Sequence, residues 1–242
     1  MQQQKKVVAI INDPCHNPTG YSLSNDEWNA VIDVLNELSK QGPVILLNDI
    51  AYIDFAYRGE AARDYIRNFD RISENVFVII AFSISKSMTA YGMRCGAAIL
   101  MAEKQESVRE VEIVFEKAAR AIWSNVNNAA METFVSVITD ERSAYEAEKD
   151  SYVQLLRERS SIFTKEADAC QLAYYPYKEG FFVTLQMEDN AQRDAFHEAL
   201  MKEHIYTVKV NKGIRVAVCS LPVEKCYGLA KRMKDILDTL TK

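Results

Sequence analysis

The chain has 242 residues, 48% of them hydrophobic and 26% charged, with a formal net charge of −5. That length suffices for one large domain or one and a half ordinary ones, and the composition is that of a globular protein. The acidic balance and the lack of a basic tract argue against a nucleic-acid or anionic-membrane partner, and no apolar run is long enough to span a bilayer.

A polar lead, MQQQKK, runs straight into VVAII (7–11), which reads as a strand. Its apolar character asks for neighbours on both sides, so the sequence is expected to begin in the middle of a domain. Residues 26–40 form a predicted helix, with Ser24 as N-cap and Glu27 at capping-box spacing, and VILLN (44–48) follows as a second strand. A helical stretch is expected near 60–70. VFVIIAF (76–82) is apolar throughout and is expected to be a strand buried on both faces. From 103 to about 167 the pattern becomes long charged helices, at 103–123, 128–138 and 142–167. EGFFVTLQM, a helix near 190–203, the strand IRVAVCSL (214–221) and a terminal helix from about 223 complete the chain. Strands alternating with helices imply an α/β architecture with a largely parallel sheet. The shift in composition along the long third helix separates an α/β part, 1–150, from a smaller α+β part, 151–242. Cys15, Cys95, Cys170, Cys219 and Cys226 show no CxxC spacing, which fits a reducing cytoplasm better than a disulfide framework.

Ligands of open α/β sheets sit at the carboxyl ends of the strands. Those ends carry Asn17 after the first strand, Asp49 after the second, and Ser83, Ser85 and Lys86 after the third. Each has a plain structural explanation: NPTG is a turn, an aspartate caps or turns, and a lysine is solvated. Their coincidence on one edge points to chemistry. A lysine amine forms a Schiff base with a carbonyl when its surroundings favour the neutral amine. A carboxylate against a pyridine nitrogen keeps the ring protonated and electron-withdrawing. Hydroxyls and an arginine fork satisfy a phosphate. Pyridoxal 5′-phosphate is the cofactor that needs all three.

The segments NDPCHNPTG, LLNDIAY and SISKSMTAYGMRCG, in that order, resemble the fold-type-I aminotransferases of the aspartate and aromatic amino acid family. RAIWSN (120–125), EGFFVTL (179–185) and IRVAVCSL extend the resemblance over nearly the whole chain. It implies a pyridoxal-phosphate-dependent transferase fold, a homodimer, and transfer of an amino group between an amino acid and a 2-oxo acid. Lys86 would carry the cofactor and shuttle the proton at the substrate Cα. Asp49 would pair with the pyridine nitrogen, Asn17 and Tyr52 would bond the phenolic oxygen, and Ser83, Ser85 and Arg94 would hold the phosphate. Arg215 would clamp the substrate α-carboxylate, joined by Asn17. Arg120 would reach the partner subunit's site and read a side-chain carboxylate; the alternative for it is a solvated helix residue, and SNVNN departs from the family's SNPP just beyond it. Members of that family carry well over a hundred residues before the Asn17 segment, including a phosphate-binding loop and an aromatic residue stacked on the cofactor. The chain is therefore expected to be the C-terminal portion of such an enzyme, without appreciable turnover when isolated. A catalytically incomplete, self-associating fragment and a C–S lyase or decarboxylase on the same scaffold are the alternatives.

Overall fold

The computed structural model describes residue 1 and residues 3–240; Gln2, Thr241 and Lys242 lie outside the described residues. The described chain divides into two compact units. The first comprises residues 1–14, 23–54 and 58–146, and the second residues 15–22, 55–57 and 147–242.

The first unit is built on a four-stranded sheet in the order β1-β2-β3-β4. β1 (Val7–Asn12) is followed by α1 (Asn25–Ser39), and β2 (Val44–Asp49) by two 3-10 segments, Ile53–Phe55 and Gly59–Arg71. Then come β3 (Val76–Ser83), the single-turn helix α2 (Ile84–Ser87), and β4 (Gly96–Met101). The helices α3 (Gln105–Ile122) and α4 (Asn128–Thr139) follow, and α5 (Arg142–Ala169) begins there. β1, β2 and β3 are parallel, and β4 returns antiparallel to β3. α1 begins where expected: the Ser24 hydroxyl accepts from Glu27 N at 3.2 Å and the Glu27 carboxylate accepts from Ser24 N at 2.8 Å, a reciprocal capping box. Its apolar stripe, Trp28, Ile32 and Leu35, is buried on the sheet, and the Trp28 ring stacks on Tyr65 at 4.6 Å.

Among the described residues β1 pairs with β2 alone, and Val8 and Ile10 are 58% and 70% exposed. One sequence expectation changes. β3 alternates buried and partly buried residues instead of being sealed on both faces. The stretch near 60–70 is helical as expected, in 3-10 form, whereas β4 carries no strand signal in the sequence because Gly96, Ala97 and Ala98 show neither alternation nor β-branching.

The second unit holds a three-stranded antiparallel sheet in the order β5-β7-β6, from β5 (Phe182–Gln186), β6 (Val208–Val210) and β7 (Gly213–Ala217). Between β5 and β6 lies α6 (Asn190–Lys202), and α7 (Val223–Cys226) and α8 (Leu229–Leu240) close the chain. Phe163, Leu172, Leu185, Phe196, Leu200, Ile214 and Met233 form its core.

Candidate functional site

In the first unit the parallel register aligns the strand ends. Asn12 of β1 lies opposite Asp49 of β2, which lies opposite Ala81 of β3, so the residues that follow all emerge on one edge. Asp49, the last residue of β2, is half-buried, and its Oδ1 accepts from Ala51 N at 3.0 Å in a short side-chain turn. Behind it a buried polar network stiffens the edge. The Asp13 carboxylate accepts from Trp28 Nε1 at 2.8 Å and Leu23 N at 2.7 Å, and Asn48 donates to the Asp13 carbonyl at 3.0 Å. Tyr65 donates its hydroxyl to Asn48 Oδ1 at 2.6 Å. The sequence reading missed this network: it makes Asp13 and Asn48 supports rather than ligand residues.

β3 delivers the lysine. Ser83 caps α2, its hydroxyl accepting from Ser85 N at 3.2 Å, and Ser85 itself is buried. Lys86 Nζ stands 5.4 Å from the ring centroid of buried Tyr52 and 5.8 Å from that of Tyr91. The Tyr145 hydroxyl donates to the Ser87 carbonyl at 3.0 Å, anchoring the far end of the turn, and burial pushes that phenol up to about 12. Arg94 is exposed and in the left-handed region, φ 53°, with Nη1 donating to the Tyr91 carbonyl at 2.6 Å and Cζ 5.0 Å from the Tyr91 ring. Tyr91, 68% exposed, thus lies against both cations, a contact that the motif alone did not reveal. Ser83, Lys86, Tyr52 and Asp49 come from the ends of adjacent strands, and Arg94 joins them through Tyr91.

The second unit carries the other candidates. Arg215 on β7 donates from Nη1 to Asn17 Oδ1 at 2.8 Å, and its Cζ lies 4.2 Å from the Phe182 ring centroid. Its Nε is buried and has no hydrogen-bond partner among the described residues. The guanidinium is thus braced on one nitrogen and stacked on a ring; a guanidinium fork is by its chemistry a partner for planar anions such as carboxylates. The turn that presents Asn17 is tied to itself: His16 N donates to Tyr21 O at 2.8 Å, Gly20 N to His16 O at 2.7 Å, and Cys15 N to Ser22 Oγ at 2.8 Å. Gly20 adopts φ +72°, and a Cβ there would meet the Tyr177 ring at 2.2 Å and the Phe182 carbonyl oxygen at 2.6 Å, so only glycine fits. Burial lowers the pKa of His16, whose Nδ1 lies 2.7 Å from Thr19 Oγ1.

Arg120 is exposed in the last turn of α3, and its Nη1 donates to Ser124 Oγ at 2.5 Å. Among the described residues no three His, Cys, Asp or Glu side chains are grouped to hold a metal ion.

This architecture, a mostly parallel sheet followed by a small antiparallel one, is that of the pyridoxal-phosphate-dependent transferase fold. A solved aminotransferase from Anaerococcus prevotii superposes with a TM-score of 0.93 at 35% identity, covering 98% of this chain and 58% of that one. An aromatic-amino-acid aminotransferase from Burkholderia pseudomallei, solved covalently bound to pyridoxal phosphate, shares the fold with a TM-score of 0.74 at 22% identity, over 95% of this chain and 56% of that one. An aspartate aminotransferase of Pseudomonas aeruginosa is 26% identical over 239 residues, 95% of this chain and 56% of that protein. The family model "Aminotransferase class I and II" matches residues 1–233, and the chain belongs to that family. It spans little more than half the length of these relatives.

Proposed function

We propose that this chain carries the lysine-bearing and carboxylate-binding parts of an aminotransferase that uses pyridoxal 5′-phosphate to move an amino group between an amino acid, of aspartate or aromatic type, and a 2-oxo acid. The observation that carries the reading is the placement of Lys86 on the turn after β3, beside buried Tyr52 and next to the strand that ends in Asp49, in a chain of this family. The donor set of the first unit fits the cofactor by chemistry: a carboxylate for a ring nitrogen, an amine for an aldehyde, a phenol for the phenolic oxygen, and the hydroxyls of Ser83 and Ser85 with the Arg94 guanidinium for a phosphate. When bound, the cofactor supplies a carbonyl for the amine and a ring that draws electrons from the substrate Cα. Asp49 holds the proton on the ring nitrogen, Tyr52 orients the ring oxygen, and Lys86 Nζ moves the proton at the substrate Cα. In the second unit Arg215, braced by Asn17, takes the α-carboxylate that every substrate shares. Arg120 is assigned to a side-chain carboxylate in the partner subunit of a homodimer, which its exposure at the end of α3 supports. The division into two units supports taking 1–150 as part of the large cofactor-binding domain and 151–242 as the small one. No described helix is long and apolar enough to cross a membrane. The five cysteines, all free, support placing the enzyme in a reducing cytoplasm.

The test is borohydride treatment of the protein equilibrated with pyridoxal phosphate, followed by peptide mapping. The label is expected on Lys86, and a label on another lysine overturns the assignment.

A further inference from the structure

Arg215 and Thr184 are direct partners in the antiparallel register of β5 and β7, so their side chains rise from the same face of the sheet. Phe182, two residues before Thr184 on β5, shares that face and supplies the ring beneath the guanidinium. Thr184 is 1% exposed, and its hydroxyl donates to the carbonyl of Pro18 at 2.6 Å. The residue before Pro18 is Asn17, whose side chain receives Arg215. Two neighbouring side chains on one sheet face therefore grip two consecutive residues of one turn, Arg215 by the Asn17 amide and Thr184 by the Pro18 backbone.

Remaining ties hold the other end of the turn. Lys178 N and Glu179 N both donate to the Gly20 carbonyl, at 2.8 and 3.0 Å. At the Asn17–Pro18 corner the Thr184 hydroxyl ties the turn to the strand beside Arg215. An Asn17 amide that drifts by an ångström lets the guanidinium swing on its flexible stem, and a planar fork loses its match to a carboxylate with small changes of angle.

We propose that Thr184 is a positioning residue for carboxylate recognition: through Pro18 it fixes the Asn17 amide, and through Asn17 it sets the orientation of Arg215. The proposal rests on the reading of Arg215 as the carboxylate-binding residue. Removing the hydroxyl in Thr184→Val, which keeps the shape, is expected to weaken carboxylate binding about three- to tenfold, the worth of one neutral hydrogen bond. The loss should be equal for dicarboxylic and aromatic substrates, because the α-carboxylate is common to both, and should fall on KM with little change in kcat.

The experiment titrates succinate, a dicarboxylate with no amine to react, into the protein by calorimetry, alongside Thr184→Val, Thr184→Ser, Asn17→Ala, Arg215→Ala and the Thr184→Val/Asn17→Ala double variant. Arg215→Ala is expected to lose affinity on the order of a hundredfold, as for a truncated charge pair. Thr184→Val should lose about three- to tenfold, Thr184→Ser should bind as the parent does, and in the Asn17→Ala background Thr184→Val should have no further effect. If Arg215→Ala binds succinate as the parent does, or the parent does not bind it, the reading of Arg215 fails and this proposal with it. If Arg215→Ala loses affinity but Thr184→Val does not, or its loss adds fully to that of Asn17→Ala, the positioning role alone is overturned. Should Thr184→Val not fold, Thr184→Ser decides: parental affinity supports the hydroxyl's role, and a several-fold loss in a folded protein overturns it.

Discussion

Asp49 and His16 show how single side chains at strand ends and turns do different work. Asp49 has its backbone bound into the sheet edge, with its carbonyl taking Asn12 Nδ2 at 3.0 Å, and one carboxylate oxygen engaged by Ala51 N. Asp49→Asn keeps that geometry and removes the charge, so in the complete enzyme kcat/KM for transamination should fall by roughly 2–5 kcal/mol of transition-state stabilisation, with little change in thermal stability. Steady-state kinetics within a few-fold of the parent would contradict the role given to Asp49. For His16 the effect is one of stability. Its usual value is 6.5, and burial lowers it in the folded protein. Between the two values the unfolded chain binds the proton and the folded one does not. Its contribution is therefore whole above about pH 6.5 and is lost as the pH falls through the folded value. Urea midpoints at pH 7.5 and pH 5.5 should fall further apart in the parent than in His16→Asn; equal differences would remove His16 from the acid response.

At the scale of elements, the turn that carries Asn17 owes its shape to the sheet it lies against. Gly20→Ala would put a methyl group 2.6 Å from the Phe182 carbonyl oxygen while asking alanine for φ +72°. The Tyr177 ring is pinned by its hydroxyl, 2.9 Å from both the Gly180 carbonyl and the Tyr57 hydroxyl, and the β5 backbone cannot give either. A loss of about 1–3 kcal/mol of stability is expected, read from the urea midpoint, together with weaker succinate binding as Asn17 shifts. Elements with a local code were legible beforehand. Ser24 and Glu27 announced the start of α1 because a capping box is made within four residues. The apolar run of β3 followed by Ser83 and Lys86 announced a strand end bearing polar chemistry. β4 and β6 were not legible: one is rich in glycine and alanine, the other has three residues, and both exist because a neighbouring strand offers them a ladder. Tyr91, Phe182 and Thr184 were passed over for a related reason, since their value lies in what they touch.

For the whole molecule, two units with separate cores make one chain, and the proposed homodimer bears on specificity. Arg120 should matter only for substrates with a second carboxylate. In the complete enzyme Arg120→Ala is expected to lower kcat/KM for aspartate tenfold or more, about 1.4 kcal/mol per tenfold, and to leave an aromatic substrate unchanged; equal losses would return Arg120 to a solvated helix end. The amino-acid sequence by itself determined the order and kind of most elements, the polar residues at the strand ends and the motifs that mark the family. Those features depend on periodicity, capping and turn chemistry within a dozen residues. Only the tertiary structure decided that segments 15–22 and 55–57 belong with the second unit, and that Arg215 meets Asn17 across 198 residues of sequence. Such partnerships are set by strand register and by the packing of loops onto sheets, and a one-residue slip in register would turn every side chain of a strand to its opposite face.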